Sequence, residues 1–265
     1  MPNILEKIVA DLKPLLEKAK QKLPFGKLRE IVETLPTPKS FKSAFDQTHP
    51  PRIIGEMKKA SPSKGVIRED FEPVFLAKEL EEAGAVALSV LTEPNYFKGS
   101  LLYLSEIGKE VKIPRLRKDF IFDEYQIYEA KAAGASAVLL IAALLPQKEL
   151  IRFSQIAISL GLDVLGEAHG QEEIERLLDS PVTLIGINAR DLKTFQTDLD
   201  RVAQLIGSIP KERFPIAESA IRSAKDICRL EKAGAVGFLI GETLMRAARP
   251  GNALRELIEQ YERIC

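Results

Sequence analysis

Three glycines divide the sequence into repeated units and restrict the possible folds more than any other feature. Gly84, Gly134 and Gly234 each follow a helical pattern and precede a short apolar run, in LEEAGAVALSVL, KAAGASAVLLI and LEKAGAVGFLIG. A glycine in this place commonly ends a helix, because it adopts positive φ without strain. The first two are 50 residues apart and the last two are 100 apart, which indicates a period of 50 with a missing member near position 184. The run LLDSPVTLIGIN occupies that place.

Four further apolar runs interleave with these units and complete a pattern of eight strands. They cover residues 52–58, 113–119, 162–169 and 214–219, with helical patterns between them. Strands that alternate with helices indicate a parallel sheet. Eight such units in a chain of 265 residues favour an α/β fold of the (β/α)8 TIM barrel type. An open doubly wound sheet is the alternative, but the G-x-G-x-x-G turn expected after its first strand is missing from this sequence.

The residues before the first strand form a helical pattern of their own. Apolar residues from Ile4 to Ala19 recur at the spacing of one helix face, and Pro14 is expected to kink or end this helix. A second helical segment is predicted near residues 27–35. Because no linker is visible, we predict one domain over residues 1–265, with an N-terminal helical extension at 1–48 and the barrel at 49–265.

Composition and charge exclude several classes of partner. The chain has 38 basic and 38 acidic residues, so it lacks the basic excess of a nucleic-acid-binding protein. No apolar run approaches the roughly 18 residues of a membrane span, and the N-terminus does not resemble a signal peptide. Cys228 and Cys265 are too few for a disulfide framework or a metal cluster. We therefore expect a cytoplasmic protein with no disulfide framework, no metal and neither membrane nor nucleic acid as a partner.

Charged side chains occur at the carboxyl ends of several predicted strands. Because side chains alternate along a strand, Glu56 shares a face with Ile54, and Lys118 with Leu116. The other strands that end in this way bring the predicted ionic group to six members: Glu56, Lys58, Lys118, Glu167, Arg190 and Glu218. Buried charges are costly unless they are paired, so such a group indicates mutual pairing, a charged ligand and acid–base chemistry. Solvated loop positions are the alternative interpretation.

The last two strands end in residues suited to phosphate. TIM barrels often bind phosphate with the loops after strands seven and eight and a nearby helix N-terminus. Here Ser219 offers a hydroxyl, and the backbone N–H groups of Ala220 and Gly241 are placed to face an anion. Helix capping by Ser219 and Thr243 is the alternative. The residues alone thus predict a barrel enzyme with a phosphorylated small-molecule substrate and lysine–glutamate chemistry, but not the reaction.

Several motifs resemble those of indole-3-glycerol phosphate synthases, in the order of that family. They are GEMKKASPSKG (55–65), SVLTEPNYFKGS (89–100), LRKDF (116–120), GINARDL (186–192), AESA (217–220) and LIGETLMRA (239–247). The resemblance spans nearly the whole chain and includes the N-terminal helices. It implies a carboxy-lyase of tryptophan biosynthesis that closes the ring of 1-(2-carboxyphenylamino)-1-deoxyribulose 5-phosphate with loss of carbon dioxide and water, without a cofactor. We expect a monomer, with other enzymes of that pathway as candidate partners.

The resemblance also implies a role for each site residue. Lys118 would act as general acid on the ketose oxygen, and Lys58 would pair with the substrate carboxylate. Glu167 would be the acid–base carboxylate, and Glu56 would orient Lys118 or relay protons. Asn188 completes the catalytic set Glu56, Lys58, Lys118, Glu167 and Asn188. The implied substrate-binding set is Ser61, Pro62, Phe97, Phe120, Leu139, Arg190, Glu218, Ser219, Ala220, Gly241 and Glu242. No role falls to His49 or His169.

A few positions depart from the family pattern. Gly166 and Ala168 flank Glu167 where valines are commoner, and this would thin the packing behind that carboxylate. Ala189 replaces an asparagine. Ala220 replaces a glycine, which would cause strain if that position needed positive φ.

Three other functions deserve comparison. A phosphoribosyl isomerase would share the phosphate loops but not the Lys-x-x-Ser-Pro-Ser run. An inactive barrel that only binds the substrate would account for the departures but not for the intact lysines and glutamates. A metal-dependent aldolase-type barrel would need a ligand cluster that the sequence lacks.

Overall fold

A computed structural model describes residues 4–46, 49–190 and 197–265 of the chain. The eight strands of the main sheet are β1 Ile53–Met57, β2 Ala87–Leu91, β3 Arg115–Lys118, β4 Ala137–Ile141, β5 Asp163–Ala168, β6 Leu184–Asn188, β7 Phe214–Glu218 and β8 Gly237–Ile240. The helices are α1 Ile4–Lys22, α2 Phe25–Glu33, α3 Ser43–Asp46, α4 Pro73–Glu82, α5 Leu101–Ile107, α6 Glu124–Ala132, α7 Gln147–Ser159, α8 Gln171–Leu178, α9 Leu199–Gly207, α10 Ala224–Lys232, α11 Glu242–Met245 and α12 Pro250–Ile264.

The eight strands pair in parallel and in chain order, and β1 closes the sheet by pairing with both β2 and β8. The predicted TIM barrel is therefore confirmed, and each apolar run of the sequence contains one strand. A small antiparallel pair, Ala60–Ser61 with Gly65–Val66, shapes the loop after β1.

The three repeat glycines end their helices in the same way. Gly84, Gly134 and Gly234 have φ values of 99°, 82° and 112°. After each one, the N–H of the next residue donates to a carbonyl five residues back, as from Ala85 to Leu80 at 3.0 Å. This bond and the glycine's own bond form the Schellman motif. The repeat thus marks a chain reversal from helix to strand that recurs around the barrel.

Two apolar layers enclose the sheet. The inner faces of the strands fill the barrel with Ile54, Leu116, Leu165, Leu184, Ile216 and other buried residues. Phe41 and Phe45, from the segment before β1, join this inner layer together with Val86 and Val236, and they close the amino end of the barrel. The outer faces pack against the surrounding helices in a second, larger layer. The amino end is thus sealed by apolar groups.

The N-terminal helices agree with the sequence pattern except at Pro14. Helix α1 runs through Pro14 to Lys22, so the expectation that this proline ends the helix is wrong. Pro14 lies on the exposed face, where water can bond to the carbonyl that its missing N–H leaves free. Helix α2 packs on α6, and the buried Tyr125 donates its hydroxyl to the Leu23 carbonyl at 2.9 Å.

The two cysteines form a single disulfide bond at the C-terminus, which the sequence analysis did not predict. Helix α12 packs along α10 and brings the Cα of Cys265 to 5.8 Å from the Cα of Cys228, and the two side chains form a disulfide. The sequence could not reveal this contact because 37 residues separate the pair. Within the described ranges, no helix is long and apolar enough to cross a membrane.

Candidate active site

Two adjoining cavities open among the loops at the carboxyl end of the barrel. Their volumes are about 910 and 990 Å3. All of the predicted site residues except Ala220 and Gly241 line the first cavity, and these two line the second. The walls shared by both cavities are Glu56, Lys58, Arg190, Ser219, Leu239 and Glu242. The ionic and phosphate-type residues of the sequence therefore surround one continuous cleft.

Lys118 holds the centre of the cleft. Its Nζ lies 2.8 Å from Glu167 Oε2 and 2.5 Å from Glu218 Oε2, so strands β3, β5 and β7 converge on one ammonium group. The Lys118 side chain is 12% exposed, and those of Glu167 and Glu218 are 6% and 1% exposed. The mutual pairing predicted from the strand ends is therefore present in the structure.

The surroundings shift the pKa values of these three groups in different directions. Burial alone would lower the pKa of Lys118, but the charges of Glu167 and Glu218 outweigh it and raise that pKa. Burial would raise the pKa of Glu167, but Lys118 and then His169 hold it well below its usual range. Burial raises the pKa of Glu218 to about 7. The positive charge of Lys118 lowers this pKa, and the negative charge of Glu167 raises it further. Carboxylates whose pKa values are pushed apart can take opposite parts in proton transfer.

Glu56 pairs with Lys58 and not with Lys118. Glu56 Oε2 accepts from Lys58 Nζ at 2.5 Å, so the predicted contact that would orient Lys118 is replaced by a charge at longer range. This carboxylate lies against Gly241, where an added Cβ would be 2.2 Å from Glu56 Oε2. Gly186 stands in the same relation to Glu218, at 2.0 Å from Oε1. Glycine is required at both places because a buried carboxylate occupies the space of a side chain.

Arg190 bridges the loops around the cleft. Its Nη2 lies 3.6 Å from Glu242 Oε2 at the start of α11, and its Nη1 donates to Ser63 Oγ at 3.4 Å. Its backbone N–H donates to Asn188 Oδ1 at 3.0 Å. The motif 186–192 extends beyond Arg190 to Asp191 and Leu192, which lie outside the described residues.

The loop after β7 adopts an unusual backbone conformation. Ser219 and Ala220 have φ values of 67° and 60°, a region that favours glycine. The condition for strain at Ala220 is therefore met. Thr243 caps no helix: its Oγ1 donates to the Ile221 carbonyl at 2.7 Å and ties this loop to α11. The second cavity lies between these two segments.

An apolar wall faces the charged group across the first cavity. The rings of Phe97 and Phe120 are 6.0 Å apart at an angle of 39°, and Leu139 and Pro62 extend the same lining. Both phenylalanines keep part of their surface exposed, which agrees with a lining role and not with a place in the core. Helix α1 adds Ile4, Leu5 and Ile8 to the cavity lining.

The sequence analysis missed the α1 residues and Glu93. The amphipathic pattern of α1 shows that one face is buried, but not what that face covers. Glu93 is fully buried after β2, and its carboxylate accepts the N–H groups of Asn95, Tyr96 and Phe97 at 2.7–2.9 Å. It thereby fixes the turn that places Phe97. The only signal was an acidic residue inside the 89–100 motif.

Gly166 does not thin the packing behind Glu167. An added Cβ would lie 2.5 Å from Leu177 Cδ2 and 2.9 Å from Val182 Cγ1, so neighbouring side chains already fill that space. The expectation drawn from this departure is wrong for Gly166. Within the described parts of the chain, no group of three or more His, Cys, Asp or Glu residues could hold a metal ion.

Comparison with known proteins identifies close relatives. The family model described as indole-3-glycerol phosphate synthase matches residues 5–257. The indole-3-glycerol phosphate synthase of Alkaliphilus metalliredigens is 46% identical, with 96% of this chain and 97% of the relative covered. That of Aliarcobacter butzleri is 48% identical, with 92% and 94% covered.

Solved structures resemble the fold more distantly. A 3-hexulose-6-phosphate synthase superposes with a TM-score of 0.65 at 15% identity, over 79% of this chain and 99% of the other. A thiamine phosphate pyrophosphorylase from Pyrococcus furiosus gives 0.60 at 15% identity, over 80% and 96%. At such identity the likeness supports the barrel fold alone.

Proposed function

This chain belongs to the indole-3-glycerol phosphate synthase family, and we propose that it closes the indole ring with the charged groups around Lys118. It is a carboxy-lyase of tryptophan biosynthesis. Family membership decides against the phosphoribosyl isomerase and the aldolase-type alternatives. The assignment of each residue to a step is our proposal, and it rests on the ion-paired position of Lys118 between Glu167 and Glu218.

The cleft offers binding groups for each part of the substrate, and Lys58 would serve two of them. The phosphate would bind at Ser219, Ala220 and Gly241, with help from Lys58 and Ser61. The aromatic ring would lie against Phe97, Phe120, Leu139 and Pro62. Lys58 and Arg190 would hold the carboxylate, and Asn188 and Glu242 would contact the sugar hydroxyls. This orientation places the ketose end of the substrate over Lys118.

Lys118 would supply the proton to the ketose oxygen. Negative charge develops on that oxygen as the ring closes, and a buried ammonium favours it. Glu218 keeps Lys118 charged and in place. Lys58 is paired with Glu56 and lines the same cleft, so it could assist loss of the hydroxyl as water.

Glu167 would serve as the base. The new C–C bond forms at the ring carbon that carries the carboxylate, and that carboxylate then leaves as carbon dioxide. The lowered pKa of Glu167 keeps it ionised at neutral pH, so it can accept the proton that the new five-membered ring loses together with the hydroxyl. Lys118, the proton donor, and Glu167, the proton acceptor, thus form one ion pair, which the bound substrate would separate.

The test is a fluorescence assay for indole-3-glycerol phosphate, with the carboxyphenylamino-deoxyribulose phosphate as sole substrate, EDTA present and no added cofactor. Lys118→Ala should lower turnover by about 10²–10⁴-fold, the usual scale for a positioned acid. Lys148→Ala removes an exposed lysine on α7 and should leave turnover unchanged. Wild-type turnover in Lys118→Ala would exclude Lys118 from the mechanism, and a folded wild-type chain that binds substrate without turnover would favour the inactive barrel.

We also propose that residues 1–265 form one domain that acts as a monomer in the cytoplasm, with other enzymes of tryptophan biosynthesis as possible partners. The packing of α1 over the cleft and of α2 on α6 supports the single domain. Sedimentation at micromolar concentration tests the monomer.

A further inference from the structure

The imidazole of His169 lies between two carboxylates, directly after the strand that carries Glu167. Its Nδ1 is 3.3 Å from Glu173 Oε2 on α8, and its Nε2 is 3.6 Å from Glu167 Oε1. The side chain is 11% exposed. Glu173 Oε2 also accepts the backbone N–H of His169 at 2.7 Å, so the Glu173 carboxylate is held in place from two directions. His169 is therefore fixed against Glu167 on the side away from Lys118.

This geometry favours a doubly protonated ring. A neutral imidazole has one N–H group and one lone pair, and in either tautomer the lone pair would point at a carboxylate oxygen. Nε2 is buried and makes no hydrogen bond among the described residues, and Glu167 Oε1 lies 3.6 Å from it. Only the imidazolium presents a proton to both oxygens.

The charges around His169 favour the same form. Glu167 and Glu173 face the ring, and Glu218 adds negative charge from β7. The cations nearby are Lys118, beyond Glu167, and Arg201 of α9, which donates to the His169 carbonyl at 2.7 Å. Burial would lower the pKa of His169, but the hydrogen bond to Glu173 and then the charges of the three glutamates raise it.

We propose that His169, oriented by Glu173, is a positioning residue that holds Glu167 ionised and in place during turnover. The proposal rests on the acid–base role given to Glu167 above. Lys118 occupies one oxygen of Glu167 and His169 faces the other. When Lys118 turns towards the substrate, a buried Glu167 without a second cation would take up a proton from solvent, since desolvation disfavours its charge. The imidazolium prevents this.

Nitrogen NMR of the histidine rings tests the protonation state directly. The chain has two histidines, so two sets of ring signals are expected, and His169→Gln identifies the set that belongs to His169. The His169 ring should stay doubly protonated to a higher pH than an ordinary histidine does. Glu173→Gln should lower the His169 pKa by at least about one unit, a tenfold change in proton affinity. Glu172→Gln removes the adjacent, exposed carboxylate on the same helix and should leave it unchanged.

The pH profile of kcat/KM tests the effect on Glu167. In Glu173→Gln and His169→Gln the acid limb should move to higher pH, because Glu167 loses a stabilising cation, and kcat should fall more than KM changes. A merely structural loss would lower the whole curve without moving the limb. A neutral His169 ring at pH 6, or an unmoved limb in both variants, would overturn the proposal. Wild-type turnover in Glu167→Gln would instead remove the role of Glu167, whatever the NMR result for His169.

Discussion

Nζ of Lys118 lies 2.8 Å from Oε2 of Glu167, which joins the third and fifth strands of the barrel by an ion pair inside the cleft. The two groups to which we assign opposite proton transfers are thus in contact before the substrate arrives. Removal of either charge takes one ion-pair partner from the other buried group, which keeps only Glu218 (for Lys118) or His169 (for Glu167), and this is costly. Variants of this pair must therefore be judged for folding as well as for turnover.

Glu167→Gln should lower kcat by about 10²–10⁴-fold with a small change in KM. The amide keeps the shape of the side chain and can still accept from Lys118, but it cannot take up a proton at neutral pH. Steady-state kinetics by indole-3-glycerol phosphate fluorescence measures the effect, with circular dichroism to confirm the fold. Glu172→Gln is the matched control. Unchanged kcat would show that the fifth strand does not carry the base.

Glu93→Gln should raise KM more than it lowers kcat. The carboxylate accepts three backbone N–H groups, and an amide would turn a donor towards at least one of them. Loss of such charge-assisted bonds should cost about 2–3 kcal/mol of stability and loosen the turn that places Phe97. Urea unfolding and KM for the substrate measure the two effects. Glu106→Gln, exposed on α5, is the control, and an unchanged KM would separate Glu93 from substrate binding.

Ala220→Gly should stabilise the chain, although glycine usually destabilises. Ala220 has φ of 60°, which costs a residue with a Cβ about 1–2 kcal/mol, whereas the extra freedom of glycine in the unfolded chain costs about 0.5–1 kcal/mol. The expected gain is about 0.5–1 kcal/mol in urea unfolding. Ala253→Gly, inside α12, is the same chemical change and should cost about 1 kcal/mol. Equal losses in both variants would refute strain at Ala220.

Gly166→Val should destabilise the chain by about 1–3 kcal/mol, the usual cost of overpacking. The new side chain would meet Leu177 and Val182 at distances that no Cβ tolerates. Adding Leu177→Ala should recover part of the loss, so a double-mutant cycle on unfolding free energies checks the contact. Independent, additive losses would show that the valine does not meet Leu177.

Sequence patterns predicted the features that depend on residues close together along the chain, such as helix ends and strand starts. The repeat around Gly84, Gly134 and Gly234 reports a helix end and a strand start within a few residues, so the barrel followed from it. Alternation along strands then brought Lys118, Glu167 and Glu218 to one end, because parallel strands of a barrel share their carboxyl end.

The remaining features depend on contacts between distant segments. Helix packing determines three of these features. They are the cavity that α1 covers, the pairing of Cys228 with Cys265, and the filling of the space beside Gly166 by α8. The His169–Glu173 contact is local in the sequence. Its proposed role in turnover, however, depends on the ion pair between Glu167 and Lys118, which lie on different strands. No spacing in the sequence carries that information.

Glu218→Gln should stabilise the folded chain at pH 8 and have little effect on stability at pH 4. Burial raises the pKa of Glu218 from 4.5 to about 7. The charge of Glu167 also raises it, and together they outweigh the lowering by Lys118. A group with a higher pKa in the folded chain binds more protons when folded, so its stabilising contribution is complete below the unfolded value and is lost as the pH rises to the folded value. Glutamine does not titrate and avoids this loss.

The stability gap between Glu218→Gln and the wild type should therefore open between pH 4.5 and about 7 and reach up to about 3 kcal/mol, at about 1.4 kcal/mol for each pKa unit. Urea unfolding at a series of pH values measures it, with Glu172→Gln, which removes an exposed carboxylate, as the matched control. Turnover of Glu218→Gln should fall, because Lys118 loses one of its two carboxylates. A gap that is constant with pH would show that folding leaves the pKa of Glu218 unshifted, and a variant less stable than the wild type at pH 8 would show that pairing with Lys118 outweighs burial; either result refutes the raised pKa.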